Sequence, residues 1–152
     1  MEKRLKKYLV NGKFQNVTAN TVNVMASIRG KNNKSTEIRL RMALVRSGLK
    51  DWKLNYKGLP GKPDIFFLYA HVAVFVDGCF WHGCPKCGHI PKTRSEFWAA
   101  KIKGNRIRDK KIKMQLEMLG ISAIRIWEHE LVNKRKIAMA INRIEKVIKK
   151  NG

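Results

Sequence analysis

The sequence predicts an α/β domain, a single mixed sheet with helices on its faces, and three observations carry that reading. Residues 64–69 (Asp-Ile-Phe-Phe-Leu-Tyr) and 72–77 (Val-Ala-Val-Phe-Val-Asp) are nearly continuously apolar, as strands covered on both faces are. Residues 95–119 repeat apolar side chains every three or four positions and run into Gly120, the pattern of a long helix with a glycine stop. The whole chain reads α-β-β-β-α-β-α. Its 152 residues, 44% of them hydrophobic, suit one compact domain and argue against wholesale disorder.

Residues 1–24 are basic and polar with weak periodicity, and are expected to form an arm with one short helical stretch ahead of a folded domain over 25–152. Ser35-Thr36-Glu37 opens the first helix: Ser35 is the expected cap, and Glu37 suits the positive end of the helix dipole. Ile38, Met42, Val45 and Leu49 then fall on one face, and Gly48 lies near the stop. Leu54-Asn55-Tyr56 is expected as a short strand closed by Gly58, Pro60 and Gly61. The two apolar strands follow, then a loop rich in Gly, Cys, His and Pro from Gly78 to Pro91. Beyond the long helix, Ser-Ala-Ile-Arg-Ile-Trp at 122–127 reads as a further strand. A last helix over 134–149 sets Ile137, Ile141, Ile144 and Ile148 on its buried stripe. The sequence has no internal repeat and no low-complexity tract.

Lys and Arg number 33 against 11 Asp and Glu, a formal net charge of +22. This excludes an ordinary neutral metabolic enzyme and points to a polyanion. Nucleic acid comes first, because each phosphate contact releases counterions. No apolar run reaches membrane-span length and the N-terminus lacks a signal-peptide core, so a cytoplasmic, nucleoid-associated protein with no membrane partner is expected.

The three cysteines, Cys79, Cys84 and Cys87, fall within nine residues. An odd number so closely packed makes a poor disulfide framework. The two-residue gap of Cys84-Pro-Lys-Cys87 lets both thiolates reach one tetrahedral zinc, and Cys79 can curl back to the same ion. The fourth ligand is open among His82, His89 and His129. Free thiols or a redox pair are the plainer account.

The long helix carries an anomaly. Trp98, Ile102, Asn105, Asp109, Ile112, Leu116 and Leu119 share one face, yet Asn105 and Asp109 are polar. An inward carboxylate needs a cation or donors, and a salt bridge to an Arg at the core edge would suffice. Other polar groups point to the same region. Asp64 starts a buried strand, Asp77 ends the next, His82 follows in the loop, and Glu37 borders the first helix's apolar stripe. With acids so scarce, their gathering at strand ends suggests oxygen ligands for a hard divalent cation, Mg²⁺ against a phosphodiester. His82, of a type that titrates near neutrality, is the candidate to deprotonate an attacking water.

Several stretches are distinctive: Gly61-Lys62-Pro63-Asp64-Ile65; Phe75-Val76-Asp77-Gly78-Cys79-Phe80-Trp81-His82-Gly83-Cys84-Pro85; Phe97-Trp98; Lys101-Ile102; Asn105; Arg108-Asp109; and Ile126-Trp127-Glu128. Together they strongly resemble the very-short-patch repair (Vsr) endonucleases, in unbroken order over about residues 25–131. The resemblance implies a restriction-endonuclease-like (PD-(D/E)xK-type) mixed sheet flanked by helices, with a zinc-stapled loop. It implies Mg²⁺-dependent nicking of duplex DNA at T:G mismatches, a structural Zn²⁺, mismatch-repair proteins as further partners, and a monomer. By position, Asp64 resembles the family's central metal-binding aspartate, His82 its general base, Glu37 its N-terminal glutamate and Asp109 its helical aspartate. Val76 falls where a main-chain carbonyl serves as a metal ligand. Phe80, Trp81 and Trp98 match aromatic residues that wedge beside the mismatch, where opening a mispaired step costs less. Ordinary core packing is the alternative for these three, Trp98 most of all. Asn105 belongs to the same DNA-facing set, and Lys103, Arg106, Lys110 and Lys113 on the helix's outer face are expected phosphate contacts.

For zinc, the resemblance favours Cys79, Cys84, Cys87 and His129, with His89 as fallback. Cys87 stands one residue later than the family ligand, and His129 replaces a cysteine. Asp77 stands where some members use histidine, so it is open as proton carrier, water orienter or metal ligand. No lysine sits two residues after it, which leaves water activation to His82. Two rival readings account for part of these observations. One is the same fold in a restriction, defence or mobile-element nuclease with another target. The other is a non-enzymatic zinc-stabilised module for DNA or structured RNA, which leaves Asp64, Asp109 and Glu37 unexplained.

Overall fold

In a computed structural model of the chain, residues 34–152 are described, together with Lys7 and Val10. The rest of the expected arm over 1–24 lies outside the described residues. The elements are α1 (Lys34–Arg46), β1 (Trp52–Leu54), β2 (Ile65–Phe67), β3 (Val72–Asp77), α2 (Ser95–Met118), β4 (Ser122–Trp127), a 3₁₀ turn (Glu128–Leu131) and α3 (Lys134–Asn151). This is the expected order with a 3₁₀ turn inserted after β4.

The four strands form one mixed sheet in the order β1-β2-β3-β4. β1 to β3 are antiparallel neighbours, with Trp52 opposite Phe67 and Ile65 opposite Val74. β3 and β4 run parallel, Val72 beside Ser122 and Asp77 beside Trp127, and α2 makes the crossover that parallel strands require.

Strand alternation sorts the side chains into two cores. Ile65, Phe67, Val72, Val74, Ile124 and Ile126 point to one face, where they meet Leu40 and Leu44 of α1 and Ala140, Ile141 and Ile144 of α3. Phe66, Ala73 and Phe75 point to the other, against Leu116 and Ile112 of α2. The apolar strands are therefore covered on both faces, and Asp77 and Arg125, by the same alternation, belong to the α2 side.

Some details differ from expectation. Helix α1 begins at Lys34, so Ser35 lies inside its first turn rather than capping it. Its buried face is Glu37, Leu40 and Leu44, while Ile38, Met42 and Val45 are 44%, 47% and 65% exposed. Apolar residues occur on both sides of this helix, so periodicity alone could not choose. The first strand lies two residues earlier than expected, because a left-handed φ of 47° at Asn55 ends its regular extended geometry, although the Asn55 and Tyr56 N–H groups still donate to the Asp64 and Pro63 carbonyls at 3.0 and 3.2 Å. Residues 64–69 narrow to Ile65–Phe67 as regular strand. Leu119, expected on the inward stripe of the long helix, is 58% exposed just past the helix end. The last helix keeps its predicted stripe and is capped by Asn133, whose side chain accepts from the Lys136 N–H at 2.9 Å.

Candidate active site and metal centre

The C-terminal ends of the parallel pair β3 and β4, on the α2 side, carry the polar cluster. Asp77 closes β3 and is only 3% exposed. Arg125 on β4 binds it through Nη1 to Oδ2 and reaches Asp109 Oδ1 of α2 through Nη2 at 3.2 Å. His82, in the loop after β3, brings Nδ1 to 2.6 Å from Asp109 Oδ2 and 3.8 Å from Asp77 Oδ1. His82, Asp109, Arg125 and Asp77 thus form a closed ring of charged and polar groups at the edge of an apolar core. Burial raises the Asp109 carboxyl, but the His82 hydrogen bond and the charges of His82, Arg125 and Arg108 outweigh it and hold its pKa below the ordinary value.

Two features let the loop reach α2. His82 N–H donates to the Gly78 carbonyl at 3.2 Å, a tight turn. Gly83 has φ +63°, and a Cβ there would lie 2.7 Å from Ile102 of α2, so only glycine allows this approach.

Asp64 stands just before β2. Its Oδ2 accepts the main-chain N–H of Val76 at 2.7 Å. Its side chain thereby continues the β2–β3 pairing where β2 has ended, and it touches the residue preceding Asp77. Glu37 is buried on α1, where Arg41 binds its Oε2 at 3.1 Å. The structure thus joins Asp77, His82 and Asp109 directly, links Asp64 to them through Val76, and pairs Glu37 within its own helix.

Sγ of Cys79, Cys84 and Cys87 lie 3.3, 3.5 and 3.4 Å from Nδ1 of His129. All four ligand atoms fall within 4.8 Å of one another. A tetrahedral zinc with ordinary Zn–S and Zn–N bonds needs S···N separations of about 3.5 Å, so the group fits and can hold a metal such as zinc. His89 lies elsewhere, its ring 5.9 Å from that of Phe80. The loop folds on itself through Cys84 N–H to Cys79 O at 2.9 Å and Gly88 N–H to Cys84 O at 2.8 Å. A Cβ on Gly88 would sit 2.5 Å from that Cys84 carbonyl oxygen. Burial and the neighbouring Cys87 and Cys84 push the Cys79 thiol up to about 12. Burial raises Cys84 too, but the main-chain N–H groups of Cys87 and Lys86 prevail and lower it.

His129 sits on the 3₁₀ turn, which sequence reasoning missed together with its anchor. Glu130 Oε2 accepts the Trp127 N–H at 2.8 Å, and Arg143 of α3 grips Glu130 Oε1 at 2.9 Å and Oε2 at 3.2 Å. Arg143 also donates to the Arg125 main-chain carbonyl at 2.8 Å. Arg125 was missed as well, although its place as the charged residue in an otherwise apolar strand, alternate to Ala123, was a usable signal.

The aromatic residues form one cluster: Phe80 and Trp81 at 5.1 Å, Phe80 and Trp98 at 5.2 Å, Trp81 and Trp98 at 5.8 Å, each edge to face. Trp98 is 6% exposed, whereas Phe80 and Trp81 are half-buried. Among the described residues, Trp81 Nε1 is the buried side-chain polar atom without a hydrogen-bond partner. Asn105 is buried, and its amide donates to the Trp81 carbonyl at 2.7 Å while its Oδ1 accepts from Arg108 at 3.3 Å. Lys103, Arg106, Lys110 and Lys113 are exposed on α2. Among the described residues, no helix is long and apolar enough to cross a membrane.

Comparison with known proteins agrees with this architecture. The family profile described as "DNA mismatch endonuclease Vsr" matches residues 15–87. The type II nicking enzyme V.NmeAIP of Neisseria meningitidis is 41% identical over 128 residues, 83% of this chain and 89% of that protein. The type II nicking enzyme V.NaeI of Lentzea aerocolonigenes is 43% identical over 98 residues, with 62% of this chain aligned to 59% of that one. DNA mismatch endonuclease Vsr of Escherichia coli is 35% identical over 103 residues, 66% of this chain and 65% of that one. On this evidence the chain belongs to the Vsr DNA mismatch endonuclease family, and with it to the DNA endonucleases of restriction-endonuclease-like fold.

Proposed function

We propose that this protein nicks double-stranded DNA at T:G mismatches by Mg²⁺-dependent hydrolysis, with His82 as general base. The observation that carries the reading is the 2.6 Å bond between His82 Nδ1 and Asp109 Oδ2. A carboxylate can only accept, so Nδ1 carries the hydrogen and a neutral ring keeps Nε2 bare. Nε2 is then available to take the proton of an attacking water, and Asp109 stabilises the imidazolium that results.

Asp64 and the main-chain carbonyl of Val76 would hold Mg²⁺, both being hard oxygen donors. Support comes from strand geometry. A residue's N–H and C=O leave a strand on the same side, and the Val76 N–H already points to Asp64. When bound, the cation polarises the scissile phosphoryl group and stabilises the departing oxyanion. Glu37 would orient water toward the same site. The products carry 5′-phosphate and 3′-hydroxyl ends. Cys79, Cys84, Cys87 and His129 would hold Zn²⁺ as a structural ion that fixes the loop bearing His82.

Phe80 and Trp81 would wedge beside the mismatch, with Trp98 behind them. The unpartnered Trp81 indole N–H supports a cluster that repacks when DNA arrives. Asn105 would hold the wedge loop, and Lys103, Arg106 and Lys110 would bind phosphates. The partner is duplex DNA, with mismatch-repair proteins alongside. The enzyme works as a cytoplasmic, nucleoid-associated monomer whose basic arm over 1–24 precedes the nuclease domain.

A second reading is favoured by the relatives' names, since V.NmeAIP and V.NaeI are type II nicking enzymes. It keeps the chemistry and places the enzyme in a restriction-associated setting. The deciding assay incubates otherwise identical T:G and C:G duplexes with Mg²⁺ or Ca²⁺ and resolves nicked strands. The proposal expects nicking of T:G alone and with Mg²⁺ alone. Equal rates on both duplexes would move the target to intact DNA, and tight binding without hydrolysis would reduce the protein to a binding module.

A further inference from the structure

We infer that Arg125 is a positioning residue for the reaction: it holds Asp77 and Asp109 so that one oxygen of each faces His82, fixing the imidazole for proton transfer. The inference rests on the proposed role of His82 and Asp109.

The geometry divides the carboxylate oxygens in two. Arg125 takes Oδ2 of Asp77 and Oδ1 of Asp109. The remaining oxygens, Asp77 Oδ1 and Asp109 Oδ2, are the two that face His82 Nδ1, at 3.8 and 2.6 Å. Both carboxylates would repel each other across the ring without a cation between them. A planar guanidinium with forked donors can bind one oxygen on each. Arg125 itself has little freedom. Its carbonyl is fixed by Arg143 at 2.8 Å and its guanidinium lies 5.2 Å from the centre of the Phe75 ring. With its side chain 23% exposed, Arg125 is mostly shielded from solvent, and its contacts run inward to the two acids. The arrangement also gives Asp77 a role: it is the second carboxylate, and it limits rotation of the imidazole away from Asp109.

The test compares single-turnover nicking on a T:G duplex, where enzyme saturates DNA, with DNA affinity measured in Ca²⁺. Arg125→Met leaves the buried Asp77 unpaired and can fail to fold, so the Arg125→Met/Asp77→Asn double variant, which removes that charge, is measured with it. The expected result for the folded variant is a loss of about 10²-fold in the single-turnover rate with DNA affinity changed less than about threefold. Arg125→Lys, which keeps the charge and loses the fork, should recover part of that rate. A loss confined to DNA affinity would make Arg125 a phosphate contact and overturn the inference. Unchanged rates in the double variant would overturn it too. His82→Ala and Asp109→Asn serve as controls. If they lose activity while the Arg125 variants do not, only this inference fails. If they keep full activity, the underlying reading fails.

Discussion

Asp109 Oδ2 lies 2.6 Å from His82 Nδ1, which joins the middle of a long helix to a loop 27 residues earlier. The bond fixes both ring orientation and tautomer, so replacing its acceptor should impair chemistry rather than binding. Asp109→Asn can present an NH₂ group to Nδ1 and favour the wrong tautomer. We expect its single-turnover nicking rate to fall by about 10²–10⁴-fold, with DNA affinity nearly unchanged. His82→Ala should cost about as much, and the double variant little more, because the pair acts as a unit. Additive losses in quench-flow assays would show independent roles.

The same pair shapes the response to acid. The Asp109 carboxyl is held below its ordinary pKa, so the folded state binds its proton less readily than the unfolded chain does. Its contribution to stability is therefore complete above the unfolded carboxylate pKa, about 3.9. It is lost as pH falls from there through the lower folded value. Asp109→Asn should lower the neutral plateau of a urea-denaturation stability profile and flatten its acid limb, so that the variant and wild-type profiles converge at low pH. A limb as steep as wild type would place the acid sensitivity in other carboxylates.

The Cys79, Cys84, Cys87 and His129 group makes a metal-dependent prediction. Without a cation, burial and neighbouring thiols hold Cys79 protonated to about 12, so loading zinc must displace that proton. Calorimetric titration of the zinc-free protein in buffers of different ionisation enthalpy should reveal proton release, and zinc affinity should weaken as pH falls. Removing zinc from protein equilibrated with free zinc at about 1,000 times the Kd should lower the unfolding free energy by about 4 kcal/mol. Cys84→Ser should show the lower melting temperature without chelator. A melting temperature indifferent to zinc would remove the ion's structural role.

Much of this was legible in the sequence because the carriers were periodic. β3, β4 and the start of α2 appear where alternation and helical spacing put them, and the polar residues Asn105 and Asp109 were visible as departures from an apolar stripe. Helix α1 was misread because Ile38, Met42 and Val45 repeat as regularly as Leu40 and Leu44, and only tertiary packing selects between the two faces. The 3₁₀ turn was hidden because Glu130 depends on Arg143, thirteen residues away on another helix. Arg125 was passed over for a similar reason: a lone Arg in a strand reads as a solvated face until the partners from β3 and α2 are brought against it.

Asn105 separates positioning of the proposed aromatic wedge from general packing. Its amide donates to the Trp81 carbonyl at 2.7 Å, so the buried helix face directly holds the loop that carries Phe80 and Trp81. Asn105→Leu keeps the volume and leaves the carbonyl unpaired, which should cost about 1–3 kcal/mol of stability. We expect preference for T:G over C:G duplexes to fall in competition binding, with Trp81→Ala losing it further. Exposed Lys103→Ala or Arg106→Ala should instead weaken binding to both duplexes alike and reduce the salt slope by about 1.

Asp64 serves two purposes that different substitutions can separate. Its Oδ2 accepts the Val76 N–H, a structural bond, and its charge is the proposed seat of Mg²⁺. Asp64→Ala removes both and leaves an N–H without its partner, at a cost of about 1–3 kcal/mol. Asp64→Asn keeps an oxygen acceptor for Val76 and removes only the charge, so its melting temperature should stay near wild type. If the charge binds the cation, Asp64→Asn should lose nicking as fully as Asp64→Ala while both still bind the mismatch in Ca²⁺ or without metal. If Asp64→Asn nicks at near wild-type rate, the carboxylate acts only through Val76, and the metal must be sought elsewhere among the acids at the strand ends.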